Sequence, residues 1–309
     1  MFAGLSAFPL TPMNEQGIDE LAFARLIERL VAAKVNAIGA LGSTGNYAYL
    51  SRTERAHVAR LTVAHADGVP VMVGIGALRT RDVLGLAEDA QQAGVSAVLL
   101  APVSYQQLTD DEVFGLYDRV TRSLSVPLCV YDNPGTTHFI FSDELHARIA
   151  QLPQVRSIKI PGVPENPGAA KARVERLRAL IPSHVTIGVS GDVFGAAGLN
   201  AGCDIWYSVL GGLFPETTLA IARAALTGRR NDAVSLAAQL DPLWALFRQY
   251  GSLRVIATAA EILGLVAAPC LPLPLNTLVG DARKQLAKFL ADANPACLYQ
   301  TGLPESGEQ

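Results

Sequence analysis

Short apolar runs recur along this chain with amphipathic segments between them, and that recurrence constrains the fold more than any other feature. The runs are LSAFPL (5–10), NAIGAL (36–41), VPVMVGIGA (69–77), VSAVLLAP (95–102), VPLCVYDNPG (126–135), VRSIKIPG (155–162), VTIGVSGD (185–192) and CDIWYSVLGG (203–212). Each is too short for a buried helix and ends in glycine, proline or polar residues, the pattern of a strand buried on both faces. The segments between them, such as IDELAFARLIERLVAAK and TRDVLGLAEDAQQAG, repeat their apolar residues at i, i+3 and i+4, which predicts helices with one buried face. Strand and helix alternating at a step of roughly 30 residues predicts parallel βα units, and eight of them predict a closed (β/α)8 TIM barrel, an α/β fold. The competing fold, an open doubly wound sheet, calls for a G-x-G-x-x-G turn after the first strand, and FPLTPMNEQG contains none.

A barrel of this kind fills about 250 residues, and the chain has 309. From about residue 215 the strand signals stop and one helical pattern follows another, broken by the proline-rich GLVAAPCLPLPLNT before a last helix running to about 292. The expected division is a barrel over 1–224, a C-terminal helical domain over 225–300 and a frayed tail over 301–309.

The net charge of −3 comes from interspersed acids and bases, with no basic block to follow a phosphate backbone, which argues against nucleic-acid binding. No apolar run approaches the ~20 residues needed to span a bilayer, and the first residues lack a basic leader, so a cytoplasmic protein with no membrane partner is expected. Cys129, Cys203, Cys270 and Cys297 stand far apart without a C-x-x-C pair, as reduced core thiols do. His57, His65, His146 and His184 fall in helical or connecting segments and only His138 lies near a candidate site, so no metal site is expected.

Catalytic residues of such barrels gather at the carboxyl ends of the strands. In SIKIPG, strand alternation puts Ile158 and Ile160 on one face and Ser157 and Lys159 on the other, directing an ammonium inward. Such a lysine is either half of an ion pair or an amine whose desolvation exposes its lone pair as a Schiff-base nucleophile. One strand earlier, Cys129 and Tyr131 share a face, and Tyr131 is either a rim residue or a hydroxyl in the barrel mouth able to relay protons. Asn133, Pro134 and Gly135 then make a turn. GSTGN (42–46) is a tight helix lead-in or a cradle for a carboxylate, and it lacks the lysine a P-loop requires. Tyr105, in the loop after the fourth run, is an aromatic suited to an interface.

Taken together, AFPLTPM, GSTGN followed by LSRTER, VYDNPGTT, SIKIPG and SGD, in this order, resemble the dihydrodipicolinate synthase and N-acetylneuraminate lyase family over nearly the whole chain, including LGLVAAP near the end. The resemblance implies a (β/α)8 barrel with a C-terminal helical domain, assembled as a homotetramer or dimer. It also implies class I aldolase chemistry on pyruvate or another 2-oxo acid, without metal or organic cofactor. By the same resemblance Lys159 is the Schiff-base lysine and Tyr131 the proton-relay tyrosine. Ser43 and Thr44 hold the 2-oxo acid carboxylate, Thr44 joins the relay, and Tyr105 completes it from a neighbouring subunit. Gly191 and Tyr207 fall at two further pocket positions.

Departures from the family pattern cluster on one side of the expected pocket. Thr136 stands where the synthases carry an arginine for the carboxylate of the aldehyde substrate, and a threonine offers no bidentate cation. Asn46 and Ile160 replace glutamates, and Tyr207 is bulky where an aliphatic residue is usual. Asn133, Thr136 and Thr137 offer neutral hydrogen bonds, suited to hydroxylated or uncharged partners. The expected function is a Schiff-base lyase that cleaves or forms a carbon–carbon bond or dehydrates a 2-oxo sugar acid, with deamination of a cyclic imino acid as a variant. The alternatives are 4-hydroxy-tetrahydrodipicolinate synthase, joining pyruvate to aspartate semialdehyde, and a non-catalytic barrel that binds a 2-oxo acid.

Overall fold

The computed structural model describes residues 1–292; Cys297 and the expected tail over 301–309 lie outside the described residues. All eight apolar runs form strands: β1 (Gly4–Ala7), then, after a two-stranded antiparallel hairpin of β2 (Met13–Asn14) and β3 (Gly17–Ile18), β4 (Ala37–Ala40), β5 (Val71–Gly74), β6 (Ala97–Leu100), β7 (Leu128–Tyr131), β8 (Val155–Ile160), β9 (Thr186–Val189) and β10 (Ile205–Ser208). The strands other than the hairpin are parallel, and β1 pairs with both β4 and β10, which closes the barrel.

Helices α1 (Glu20–Ala32), α2 (Arg52–His65), α3 (Thr80–Gln92), α4 (Asp110–Thr121), α5 (Pro134–Thr137), α6 (Asp143–Ala150), α7 (Pro167–Leu180), α8 (Gly195–Asn200) and α9 (Pro215–Leu226) occupy the connections after successive strands. Their starts are written in the sequence. Ser51 caps α2 and Thr109 caps α4, each in a reciprocal pair with the glutamate three residues on, Glu54 and Glu112. Leu26, Ile27 and Leu30 of α1 are buried against the barrel, as their spacing predicts.

Helix α9 packs on β1, so the expected division at 224/225 falls inside the last turn of that helix. Beyond it α10 (Arg230–Ala238), α11 (Asp241–Tyr250), α12 (Ser252–Ile262) and α13 (Gly280–Asp292) form the helical appendage, with the proline-rich connector between the last two. The hairpin is tied to that connector by the Met13 N–H, which donates to the Cys270 carbonyl at 3.2 Å. None of the described helices is long and apolar enough to cross a membrane.

Two apolar compartments result from strand alternation. Val130, Ile158, Ile160 and Val189 face outward into the layer beneath the helices. Phe8, Met72, Ala97, Leu99, Cys129, Tyr131, Ile205 and Tyr207 face inward and fill the barrel, and Met1 and Phe2 pack against that same inner cluster.

Candidate active site

Strands β7 and β8 set the geometry of the site. Their register pairs Tyr131 directly with Lys159, and the Asp132 N–H donates to the Lys159 carbonyl at 3.0 Å, continuing the ladder one residue past the tyrosine. Both side chains therefore leave the sheet on its inner face, as alternation predicts, and Lys159 is only 4% exposed.

Aromatic faces, and no acid, surround the amine. Lys159 Nζ lies 4.0 Å from the Phe8 ring centroid, 4.1 Å from that of Tyr131 and 5.5 Å from that of Tyr207. Among the described residues no carboxylate comes within ion-pair distance of it, so the ion-pair reading of this lysine has no partner. Burial pulls the amine down to about 8, against the opposing pull of Cys129 and Asp192. Asp192, itself pushed up to about 6 by burial, is fixed by three donors: Trp206 Nε1 at 3.1 Å, Ser208 Oγ at 2.7 Å and the Leu210 N–H at 2.9 Å.

The Tyr131 hydroxyl sits in a cluster of neutral polar groups. Asn133 Nδ2 donates to it at 2.9 Å, and Ser43 Oγ lies 3.5 Å from both the phenol oxygen and that amide nitrogen. Burial raises the phenol's pKa, while the bond to Ser43 opposes the rise. Of the two hydroxyl residues in the GSTGN turn, the structure brings Ser43 to Tyr131; Thr44 is buried in the same turn without a hydrogen bond to the phenol. Asn133 also donates to Thr136 Oγ1, so this exposed threonine is tied into the cluster.

The remaining expected residues separate into those in the pocket and those outside it. Thr137 is buried, and its hydroxyl is engaged by its own turn, donating to the Asn133 carbonyl at 3.0 Å and accepting from the Phe139 N–H at 3.4 Å. Gly191 opens the turn before Asp192 with φ +75°, and a Cβ there would lie 3.1 Å from the Pro161 carbonyl oxygen. Tyr207 is fully buried, its hydroxyl 2.6 Å from Ser157 Oγ and 3.4 Å from the Cys129 thiol that donates to it. Tyr105 is 92% exposed, and no hydrogen bond joins it to the cluster around Tyr131.

Several contributors were not singled out from sequence. Phe8 lies in an apolar run and in the AFPLTPM motif without a role of its own there, although alternation in β1 sends it inward with Ser6. Asp192 was legible only as the last letter of SGD. Behind Tyr131, on the outer face, Asp132 Oδ2 lies 3.5 Å from Nε2 of the fully buried His146, a pairing of distant segments that no local pattern announces. Arg55 is likewise buried, donating to the Gly74 and Gly76 carbonyls at 2.8 and 2.9 Å beneath the Tyr47 ring.

No group of three or more metal-ligating side chains comes together among the described residues. The cluster brings together a desolvated amine, an adjacent phenol and a set of hydroxyl and amide groups, side chains of the kind that can act covalently on a carbonyl carbon.

Known proteins resemble this chain over nearly its whole length. The model of the Dihydrodipicolinate synthetase family matches residues 1–293. The 4-hydroxy-tetrahydrodipicolinate synthase of Buchnera aphidicola is 29% identical over 298 residues, covering 95% of this chain and 99% of that one. That of Acidiphilium cryptum is 30% identical over 300 residues, covering 93% and 96%. Among solved structures, the dihydrodipicolinate synthase of Agrobacterium tumefaciens superposes with a TM-score of 0.90 at 44% identity, covering 94% of this chain and 97% of that one. The 4-hydroxy-tetrahydrodipicolinate synthase of Methylacidiphilum fumariolicum does so with a TM-score of 0.86 at 25% identity, covering 94% and 95%. With the barrel, its helical appendage and a whole-chain match in agreement, this chain belongs to the dihydrodipicolinate synthetase family.

Proposed function

We propose that the protein is a Schiff-base lyase acting on pyruvate or another 2-oxo acid, with Lys159 as nucleophile and Tyr131 as proton relay. The observation that carries this reading is the buried Lys159 amine, without a carboxylate partner and 4.1 Å from the ring of its register partner Tyr131. An amine held near pH 8 is neutral in a usable fraction at neutral pH, and its lone pair attacks the carbonyl carbon. The carbinolamine then loses water. Summed over the step, an ammonium and a ketone give a protonated iminium and water, so the charge on nitrogen is kept and only shuttled protons are needed. Tyr131, linked to Ser43 and Asn133, is the group placed to shuttle them. The iminium then draws electrons from a bond at the adjacent carbon, which allows carbon–carbon cleavage, condensation or dehydration.

Members of this family are lyases, and the relatives named above favour one specific reaction, the 4-hydroxy-tetrahydrodipicolinate synthase reaction with pyruvate and aspartate semialdehyde. Thr136 weighs against it, because it brings no cation for the second carboxylate. Activity with that substrate pair, measured beside hydroxylated and uncharged partners, separates the two readings. The experiment common to both is incubation with pyruvate and borohydride followed by peptide mapping. An adduct on Lys159 is expected; its absence with pyruvate and with longer 2-oxo acids removes the Schiff-base reading. We further propose a dimeric or tetrameric assembly in which the exposed Tyr105 is covered by a neighbouring subunit, testable by solution mass measurement.

A further inference from the structure

We propose that Phe8 is a catalytic residue of the Schiff-base step, its ring face holding the positive charge that Lys159 Nζ carries first as ammonium and then as iminium. The inference rests on the Schiff-base reading above and adds a residue that neither the motifs nor the family match assigns.

Phe8 is keyed into place rather than loosely packed. It is 2% exposed, and a Cβ on Gly39 would lie 2.5 Å from its Cζ, while one on Gly42 would lie 2.7 Å from its Cδ1. Both positions must therefore lack a side chain for the ring to occupy this slot against β4 and the turn that follows. The ring is then 4.0 Å, centroid to nitrogen, from the reacting amine, within the range of a cation–π contact. Tyr207 is seated in a matching way over Gly188, where a Cβ would collide with its ring, and stands nearly perpendicular to Phe8 at 83° and 6.0 Å. With Tyr131 the two rings enclose the nitrogen, and no carboxylate among the described residues lies within ion-pair distance of it, Asp192 acting on it only from farther away.

A quadrupole at the nitrogen has a consequence that simple filling of space lacks. Below the amine's own titration near pH 8, free enzyme and adduct are both cationic at Nζ, and the ring's contribution to adduct formation largely cancels. Above it the free amine is neutral, the adduct takes up a proton, and the ring's contribution appears in full.

The test replaces Phe8 in the full chain by 4-fluoro-, 3,5-difluoro- and 3,4,5-trifluorophenylalanine, which drain the ring face while nearly keeping its shape. Two quantities are read: the 2-oxo acid dissociation constant from borohydride trapping at pH 6 and pH 9.5, on either side of the Lys159 titration near 8, and the Lys159 titration in the free enzyme from the pH dependence of its acetylation by acetic anhydride. Expected is a graded weakening reaching about tenfold at the higher pH and under about twofold at the lower, with the free amine titrating about one pH unit lower in the trifluoro protein. A flat series beside a normal wild-type adduct, or equal weakening at both pH values, overturns the role of Phe8 alone. If wild-type protein forms no borohydride-stable adduct with any 2-oxo acid, the Schiff-base reading fails, and the catalytic assignment of Phe8 fails with it even where the free titration moves.

Discussion

Tyr131 and Lys159 are register partners across β7 and β8, and the amine of one rests 4.1 Å from the ring centroid of the other. The ring and the hydroxyl of Tyr131 thus have separable tasks. Tyr131→Phe keeps the ring against the amine and removes the only part that bonds Asn133 and Ser43. Exchange of the pyruvate methyl protons with deuterated solvent, followed by NMR, is expected to slow by about 10²- to 10⁴-fold, with folding unchanged. A variant exchanging at the wild-type rate takes Tyr131 out of the relay.

Lys159 is buried at a cost to the fold. Its folded-state titration lies near 8, below the ordinary 10.5, so at neutral pH folding must bury an ammonium. Between those two values the unfolded chain binds the extra proton, and stability rises with pH. Lys159→Met is therefore expected to be more stable than wild type at pH 7 by about 1–3 kcal/mol, an advantage that disappears by about pH 10.5. Urea titrations across that range check both the sign and the window.

Asp132 and His146 are buried side by side behind Tyr131, 3.5 Å apart. Burial pushes the carboxyl up to about 7 and the imidazole down to about 4, with Arg173 lowering both and Asp143 favouring the charged imidazole. Between 3.8 and 7 the folded Asp132 keeps a proton that the unfolded chain has lost, so its contribution to stability falls as pH rises through that window. His146 acts the opposite way, its contribution being lost as pH falls from 6.5 toward 4. Asp132→Asn removes the first slope and leaves the second. Its stability relative to wild type should increase by a few kcal/mol, as an order of magnitude, between pH 4.5 and 7.5; a difference independent of pH would show that the carboxyl does not titrate in this range.

Thr136 is exposed and bonded only within its own turn. Thr136→Arg places a guanidinium at the mouth, so KM for an aldehyde bearing a carboxylate should fall by about tenfold, a charge-assisted pair being worth roughly 1.5–3 kcal/mol. KM for uncharged aldehydes should stay level. Equal changes for both classes would mean that the substitution acts by shape.

Legibility in the sequence followed the range of the forces involved. The eight barrel strands were readable because each is a run of buried residues, and alternation alone fixed the faces of Tyr131 and Lys159. The two-residue strands at 13–14 and 17–18 are too short to show a period. Leu41 (φ +54°) and Asn46 (φ +56°) hold left-handed backbone on either side of the hydroxyl turn, which spacing does not reveal, and within that turn it is Ser43 whose hydroxyl lies 3.5 Å from the phenol. Thr137 was spent on a single helical turn over Pro134–Thr137. Phe8 was visible as a letter and hidden as a function, since an apolar residue at the end of an apolar run announces only packing.

Beneath the amine, Cys129, Tyr207, Ser157 and Thr186 are strung together by bonds of 3.4, 2.6 and 2.8 Å, and Met1 and Phe2 pack against the same inner cluster. These groups satisfy one another, while Ser6 Oγ, buried on the same inward face, has no hydrogen-bond partner. The lower barrel is thus filled by side chains and is a packed core rather than a pore. On the Schiff-base reading proposed above, a packed floor means that water released at Nζ leaves by the carboxyl ends of the strands, the same end that admits the next substrate.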